Sequence, residues 1–175
     1  WQGPLNITDK SRDVRSKILD AAQVISSSPI ITDDTPGRSV AEISSLCRSL
    51  KRSGQVGLLL VDYLQLVRPE NTRIQRNEQV AEMTRRLKEL ARELEVPILC
   101  LAQLNREADK ADRPTLSHLR ESGSIEQDAN KVILVDRPNN DGQATLIVAK
   151  NRNGPTGDIG VSWDGSQTRF DSLAP

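Results

Sequence analysis

A chain of 175 residues, 36% hydrophobic and 27% charged, is long enough for one ordinary core, and that balance excludes a disordered or fibrous protein. Trp1, Tyr63, Trp163 and Phe170 are all of its aromatic residues, so the core has to be built from Val, Ile, Leu and Ala, and base stacking is almost excluded as a recognition mode. Its 24 basic residues are matched by 24 acidic ones, so contact with a polyanion has to come from a local basic cluster and not from a global field.

From about Thr8 to Ile25, apolar residues at helical spacing (Val14, Ile18, Ala21, Ala22, Ile25) predict a helix. Pro29-Ile30-Ile31 reads as a short strand ending in the turn residues that run to Pro36-Gly37. A second helix opens with a capping box, Ser39 to Glu42, turns Val40, Ile43, Leu46, Cys47 and Leu50 inward, and stops at Gly54. Gly57 to Val61 is apolar without alternation, the pattern of a parallel strand buried on both faces. The longest helix follows at about Asn77 to Glu95, striped by Val80, Met83, Leu87, Leu90, Ala91 and Leu94, and Ile98 to Ala102 is a second buried strand. Gln103 to Gly123 has no period, and Ser124 with Gln127 reads as the capping box of a short helix. Four short strands then succeed one another at Lys131–Asp136, Gln143–Ala149, Asp158–Trp163 and Thr168–Asp171, divided by Asn- and Gly-rich turns. Cys47 and Cys100 sit in apolar segments and read as reduced core thiols; with His118 the only histidine, no zinc pattern exists. No run approaches the ~20 apolar residues of a membrane span, and no signal peptide is visible, so no membrane contact and a cytoplasmic location are expected.

The first chemical signal is Leu58-Leu59-Leu60-Val61-Asp62, where four apolar strand residues end in an acid. A carboxylate there stands at the carboxyl edge of a parallel sheet, the edge at which open α/β folds bind ligands, although many such acids merely end a strand. Asp62-Tyr63-Leu64-Gln65-Leu66 continues directly. Leu101-Ala102-Gln103-Leu104-Asn105-Arg106-Glu107 follows, then Leu119-Arg120-Glu121-Ser122-Gly123-Ser124-Ile125-Glu126-Gln127-Asp128-Ala129, then Ala149-Lys150-Asn151-Arg152-Asn153-Gly154-Pro155-Thr156-Gly157. In this order the four strings resemble the DnaB family of hexameric replicative helicases, over about Pro29 to Phe170.

The resemblance implies an α/β fold, a RecA-like P-loop ATPase core whose mostly parallel sheet is flanked by helices and finished by a β-rich C-terminal edge. It implies one domain over residues 1–175, truncated on its N-terminal side. Asp62 is then the Walker B acid, acting on Mg²⁺ through its water shell, and Gln103 the polar sensor of the ATP γ-phosphate, an amide able both to donate and to accept. Arg120, Glu121 and Gly123 correspond to the loop that holds the phosphates of single-stranded DNA, by an Arg fork and a close glycine backbone, with Glu121 acting through its main chain or by holding Arg120. Arg68, Arg73 and Arg76 offer a second phosphate-facing patch; a solvated basic loop accounts for them equally well. Lys150 and Arg152 alternate at a strand end and so point the same way, and in the family this pair reaches the neighbouring subunit's γ-phosphate, which implies a homo-hexameric ring with ATP sites between protomers. Primase and a helicase loader are the further partners the family brings.

The sequence departs from the family in three places, one of them a loop after Asp136 that is shorter than the resemblance leads one to expect. No GxxxxGK[ST] occurs, so the phosphate cradle is absent from these 175 residues, which on their own are expected not to hydrolyse ATP. Asn130 stands where the family usually has an acid. A piece of a helicase is the favoured explanation. The alternatives are a non-catalytic remnant that binds single-stranded DNA or assembles the ring, and a RecA-type recombinase, against which the Asp62-Tyr63-Leu64-Gln65 and Arg120-Glu121-Ser122-Gly123 strings argue.

Overall fold

The helix that opens after Ser39 starts and stops where the sequence supplies caps. The computed structural model of the protein describes residues 10–119, 123–137 and 142–173, with only the backbone at residues 10–13 and 109. Described residues up to Thr35 make one compact unit and those from Pro36 a second. The first unit is α1 (Lys10–Ser27) followed by an extended segment, and Val14, Ile18 and Ile25 of the predicted stripe are exposed. The strand expected at Pro29 to Ile31 does not form. A strand needs a partner for its N–H and C=O groups, none of the described strands pairs with this segment, and Ile30 and Ile31 are exposed.

In the second unit α2 (Val40–Arg52) starts at Ser39 with both halves of the capping box made: Glu42 N–H donates to Ser39 Oγ (3.4 Å) and Ser39 N–H to Glu42 Oε2 (2.7 Å). That backbone hydrogen bond, helped by the Arg68 guanidinium, holds the Glu42 carboxyl down at about 2. At the far end Gly54 takes φ +72° and Gln55 N–H reaches back to Leu50 O (2.9 Å), a left-handed stop that a Cβ disfavours. The parallel strands β1 (Leu59–Val61) and β2 (Ile98–Cys100) are joined through α3 (Arg76–Leu94), which Glu95 ends in the left-handed region. Val80, Met83 and Leu87 of α3 pack with Val40, Val61, Leu64 and Val67 into one core. Leu59, Ile98 and Cys100 lean on it, while Leu60 and Leu99, on the opposite face, are 53% and 51% exposed. Burial on both faces was expected from the unbroken apolar runs. The described residues supply a covering layer on one face only.

The last four strands form an antiparallel meander in chain order: β3 (Lys131–Asp136), β4 (Gln143–Asn151), β5 (Gly157–Asp164) and β6 (Arg169–Ser172). A second core of Leu119, Val132, Leu134 and Ile147 lies against it. Trp163 stacks at a tilt on Phe170, 4.5 Å between centroids, with the Arg137 guanidinium 4.9 Å from its ring. The short helix α4 (Gly123–Asp128) carries Ile125, which packs against both cores. The capping box predicted at Ser124 is not made: the helix already begins at Gly123, so Ser124 lies inside it and its buried Oγ has no hydrogen-bond partner. Both cysteines are free thiols. No helix among the described residues is long and apolar enough to cross a membrane.

Candidate functional site

Parallel pairing brings the two predicted strand-end residues to one edge. Val61 stands opposite Cys100, so Asp62 and Gln103 both leave the carboxyl side of the β1–β2 pair. The pairing continues past the strands through Leu101 N–H to Val61 O and Leu64 N–H to Leu101 O, both 2.9 Å. Gln65 then clamps the Gln103 backbone from both sides: its Nε2 donates to Gln103 O and its Oε1 accepts Gln103 N–H, each at 3.3 Å. The Asp62 and Gln103 side chains are exposed, and neither hydrogen-bonds another described residue. No group of three or more His, Cys, Asp or Glu able to enclose a metal occurs among the described residues. One water-facing carboxylate suits a Mg²⁺ that keeps most of its waters and takes its other ligands from substrate phosphates; it does not suit an all-protein cage. Gln65 is a functional candidate that sequence reasoning missed. A polar residue inside the apolar Leu64–Val67 segment was the available signal.

The basic pair lies elsewhere. Lys150, near the end of β4 opposite Val132, and Arg152, whose N–H donates to Asn130 O (2.9 Å), turn to the same side as expected. What they meet is the C-terminal end of α4. Lys150 Nζ donates to Glu126 O and to Gln127 O (3.4 Å), and Arg152 Nη2 donates to Gln127 O (2.7 Å). Cations belong at such carbonyls, which a helix leaves without internal partners. On the neighbouring α3, Lys88 Nζ donates to Asn130 Oδ1, and Thr84 Oγ1 donates to Asp128 Oδ2 (2.7 Å). Burial, then Arg152, Arg92 and Lys150, push the Lys88 ammonium below its ordinary pKa, with Asp128 opposing them. This corner is therefore rich in positive charge, with one carboxylate at its centre.

Arg120 and Glu121 of the predicted DNA loop lie outside the described residues. The chain enters that loop from buried Leu119 and leaves it at Gly123, which is exposed and has open space where a Cβ would stand. Nothing in the described protein itself thus requires glycine there. The arginines after β1 are held by different local partners. Arg68 pairs with Glu42 of α2 (2.9 Å), Arg76 Nη1 donates to Gln79 Oε1 (3.3 Å), and Arg73 N–H donates to Asn71 Oδ1 (3.0 Å) within its own turn. Arg68 thus pairs with the capping-box carboxylate while its side chain stays 58% exposed.

A family profile described as the DnaB-like helicase C terminal domain matches residues 5–172. The chain is 44% identical over 160 residues to the replicative DNA helicase DnaB of Leifsonia xyli subsp. xyli (strain CTCB07), covering 86% of this chain and 35% of that protein. It is 40% identical over 167 residues to the replicative DNA helicase DnaC of Bacillus subtilis (strain 168), covering 90% of this chain and 37% of that one. The chain thus spans little more than a third of these relatives. Among solved structures, an ATPase domain superposes with a TM-score of 0.86 at 35% identity, over 91% of this chain and 60% of that one. A DnaB-like replicative helicase described with its interactions with primase gives 0.88 at 32% identity, over 97% and 43%. The fold is accordingly that of RecA-like helicase ATPase domains.

Proposed function

We propose, from the premise that this chain belongs to the DnaB-like helicase C-terminal domain family, that it is part of a replicative DNA helicase that uses ATP hydrolysis to move along one DNA strand and unwind the duplex. The observation that carries the reading is the placing of Asp62 and Gln103 on one parallel edge, their side chains unengaged and the Gln103 backbone clamped by Gln65. Asp62 would hold Mg²⁺ by way of its waters, and Gln103 would hydrogen-bond the terminal phosphate of ATP. When bound, magnesium supplies the charge that neutralises the phosphates. Lys150 and Arg152 would serve the ATP site of the next protomer in a homo-hexameric ring, leaving the α4 carbonyls to do so. Arg120, Glu121 and Gly123, with Arg73 and Arg76 and less so Arg68, would face the backbone of single-stranded DNA, giving grip without base preference. Primase and a helicase loader, in the cytoplasm, complete the assembly in this reading, and residues 1–175 belong to a single ATPase domain.

The test is ATP turnover by the natural protein, including any sequence flanking these residues, with and without single-stranded DNA. Turnover that DNA stimulates, and that Asp62→Asn and Arg152→Ala each lower by about 10²-fold or more, is the expected result. A natural protein with no turnover would leave a module that binds DNA or assembles the ring as the better account.

A further inference from the structure

Lys88 reaches the corner of Lys150 and Arg152 from a different element. It stands half-buried on α3 and its Nζ donates to Asn130 Oδ1, while the backbone oxygen of the same Asn130 accepts Arg152 N–H at 2.9 Å. Asn130 thus sets the α3 ammonium beside the strand-end cations, with a neutral amide as its anchor. Stability does not explain a lysine here. Burial disfavours its charge, and Arg152, Arg92 and Lys150 disfavour it further. Asp128, the acid that opposes them, also accepts the Thr84 hydroxyl at 2.7 Å. A half-buried lysine placed for stability takes a carboxylate as its hydrogen-bond partner, because an ion pair cancels the charge that burial penalises. Asn130 supplies an acceptor and no charge, so it orients the ammonium without neutralising it. The acid usual at that position in the family would cancel one charge of the corner; this chain keeps it. Such a surplus favours an anion with more than one charge and several acceptor oxygens, able to meet ammonium and guanidinium donors at once. A terminal phosphate has both.

We propose that Lys88 is a third cation for the terminal phosphate of the neighbouring protomer's nucleotide, acting with Lys150 and Arg152, and that Asn130 holds its ammonium in place while leaving its charge intact. Lys150 and Arg152 leave the Glu126 and Gln127 carbonyls to reach that phosphate. Lys88 is carried on a 19-residue helix whose Val80, Met83 and Leu87 are packed in the core, so it supplies a standing charge and not a travelling one. The inference rests on the helicase reading above, in which Lys150 and Arg152 serve the next protomer.

The experiment measures nucleotide binding and not turnover. The natural protein, with any sequence flanking these residues, is titrated with ATPγS and with ADP, each with Mg²⁺, and the readout is the ratio of the two affinities. Damage to the fold or the ring weakens both nucleotides and leaves the ratio alone, whereas loss of a contact to the terminal phosphate lowers it. Lys88→Gln should cut the preference for ATPγS about tenfold, the scale of one hydrogen bond between charged groups. Lys88→Arg, which keeps the charge, should restore most of it. Asn130→Asp should cut it about fivefold, the scale of one exposed ion pair, by pairing off the ammonium. Asn130→Ser, a neutral acceptor, should stay within about twofold of the parent. If Arg152→Ala lowers the preference and Lys88→Gln does not, the proposal is overturned while the helicase reading stands. If Lys88→Gln does not fold, equal ratios for Asn130→Asp and Asn130→Ser overturn it in the same way. A parent without a preference for ATPγS, or an Arg152→Ala variant that keeps it, fails differently: it removes the reading of the shared site, and the third cation with it.

Discussion

Leu64 and Leu66 occupy the same tight turn after Asp62, and the structure separates them sharply: Leu64 is 2% exposed and Leu66 59%. Leu64 packs in the core of Val40, Val61, Val67, Val80, Met83 and Leu87. Its backbone is held by hydrogen bonds to Leu101 O (2.9 Å) and from Val67 N–H (3.1 Å), so the turn cannot collapse into a space left beneath it. Leu64→Ala therefore belongs in the middle to upper part of the range for truncating a buried leucine, about 3–4 kcal/mol. Leu66→Ala, at an exposed position, should stay within about 0.5 kcal/mol. For a chain of this size about 3 kcal/mol corresponds to a melting shift on the order of 6–12 °C. Paired urea titrations of the two variants, with the slope checked for constancy, measure the difference directly. Equal losses for Leu64→Ala and Leu66→Ala would refute the claim that the segment bearing Asp62 is anchored from below by this side chain.

Two further outcomes follow from the protonation chemistry. Glu42 keeps its charge down to about 2 in the folded chain, against its usual 4.5, so its contribution to stability is complete above 4.5 and is lost as pH falls through about 2. Glu42→Gln should flatten that part of the acid limb in melts between those pH values, and an unaltered limb would count against the capping box as its source. Burial pushes the Cys100 thiol up to about 11 and raises Cys47 as well, so both should resist an aromatic disulfide reagent at pH 8 until denaturant is added. Stoichiometric labelling of the native chain within seconds would contradict that burial.

Much of this fold can be read from residue order, because its signals are local. A capping box needs only Ser39 and Glu42 three residues apart, and the four terminal strands are marked by turn residues at Asn139-Asn140-Asp141-Gly142, Asn153-Gly154-Pro155 and Asp164-Gly165. The misreadings share one cause, dependence on something distant. Ile30 and Ile31 have strand composition, but pairing is a property of two segments and not of one. Leu60 and Leu99 are as apolar as a doubly covered strand requires, yet coverage depends on which layers are present. Ser124 has the spacing of a cap, but the helix starts one residue earlier. At the candidate site, a common edge for Asp62 and Gln103 follows from parallel strands and was legible. Gln65 reaching the Gln103 backbone, and Lys150 and Arg152 reaching the α4 carbonyls, were not, since a main-chain acceptor carries no residue identity.

The two kinds of strand pairing also set an order of assembly. In the meander each strand finds the next one along the chain, as where Val161 meets Ser172, so little chain entropy is lost before contacts form. Leu59 must instead find Ile98 across the whole length of α3. Folding should therefore reach the β3–β6 sheet early and the β1–β2 pairing late, since non-local and parallel contacts are the slow ones. The edge that carries Asp62 and Gln103 is then among the last parts of the chain to take shape during folding, and the first to open when the protein is stressed.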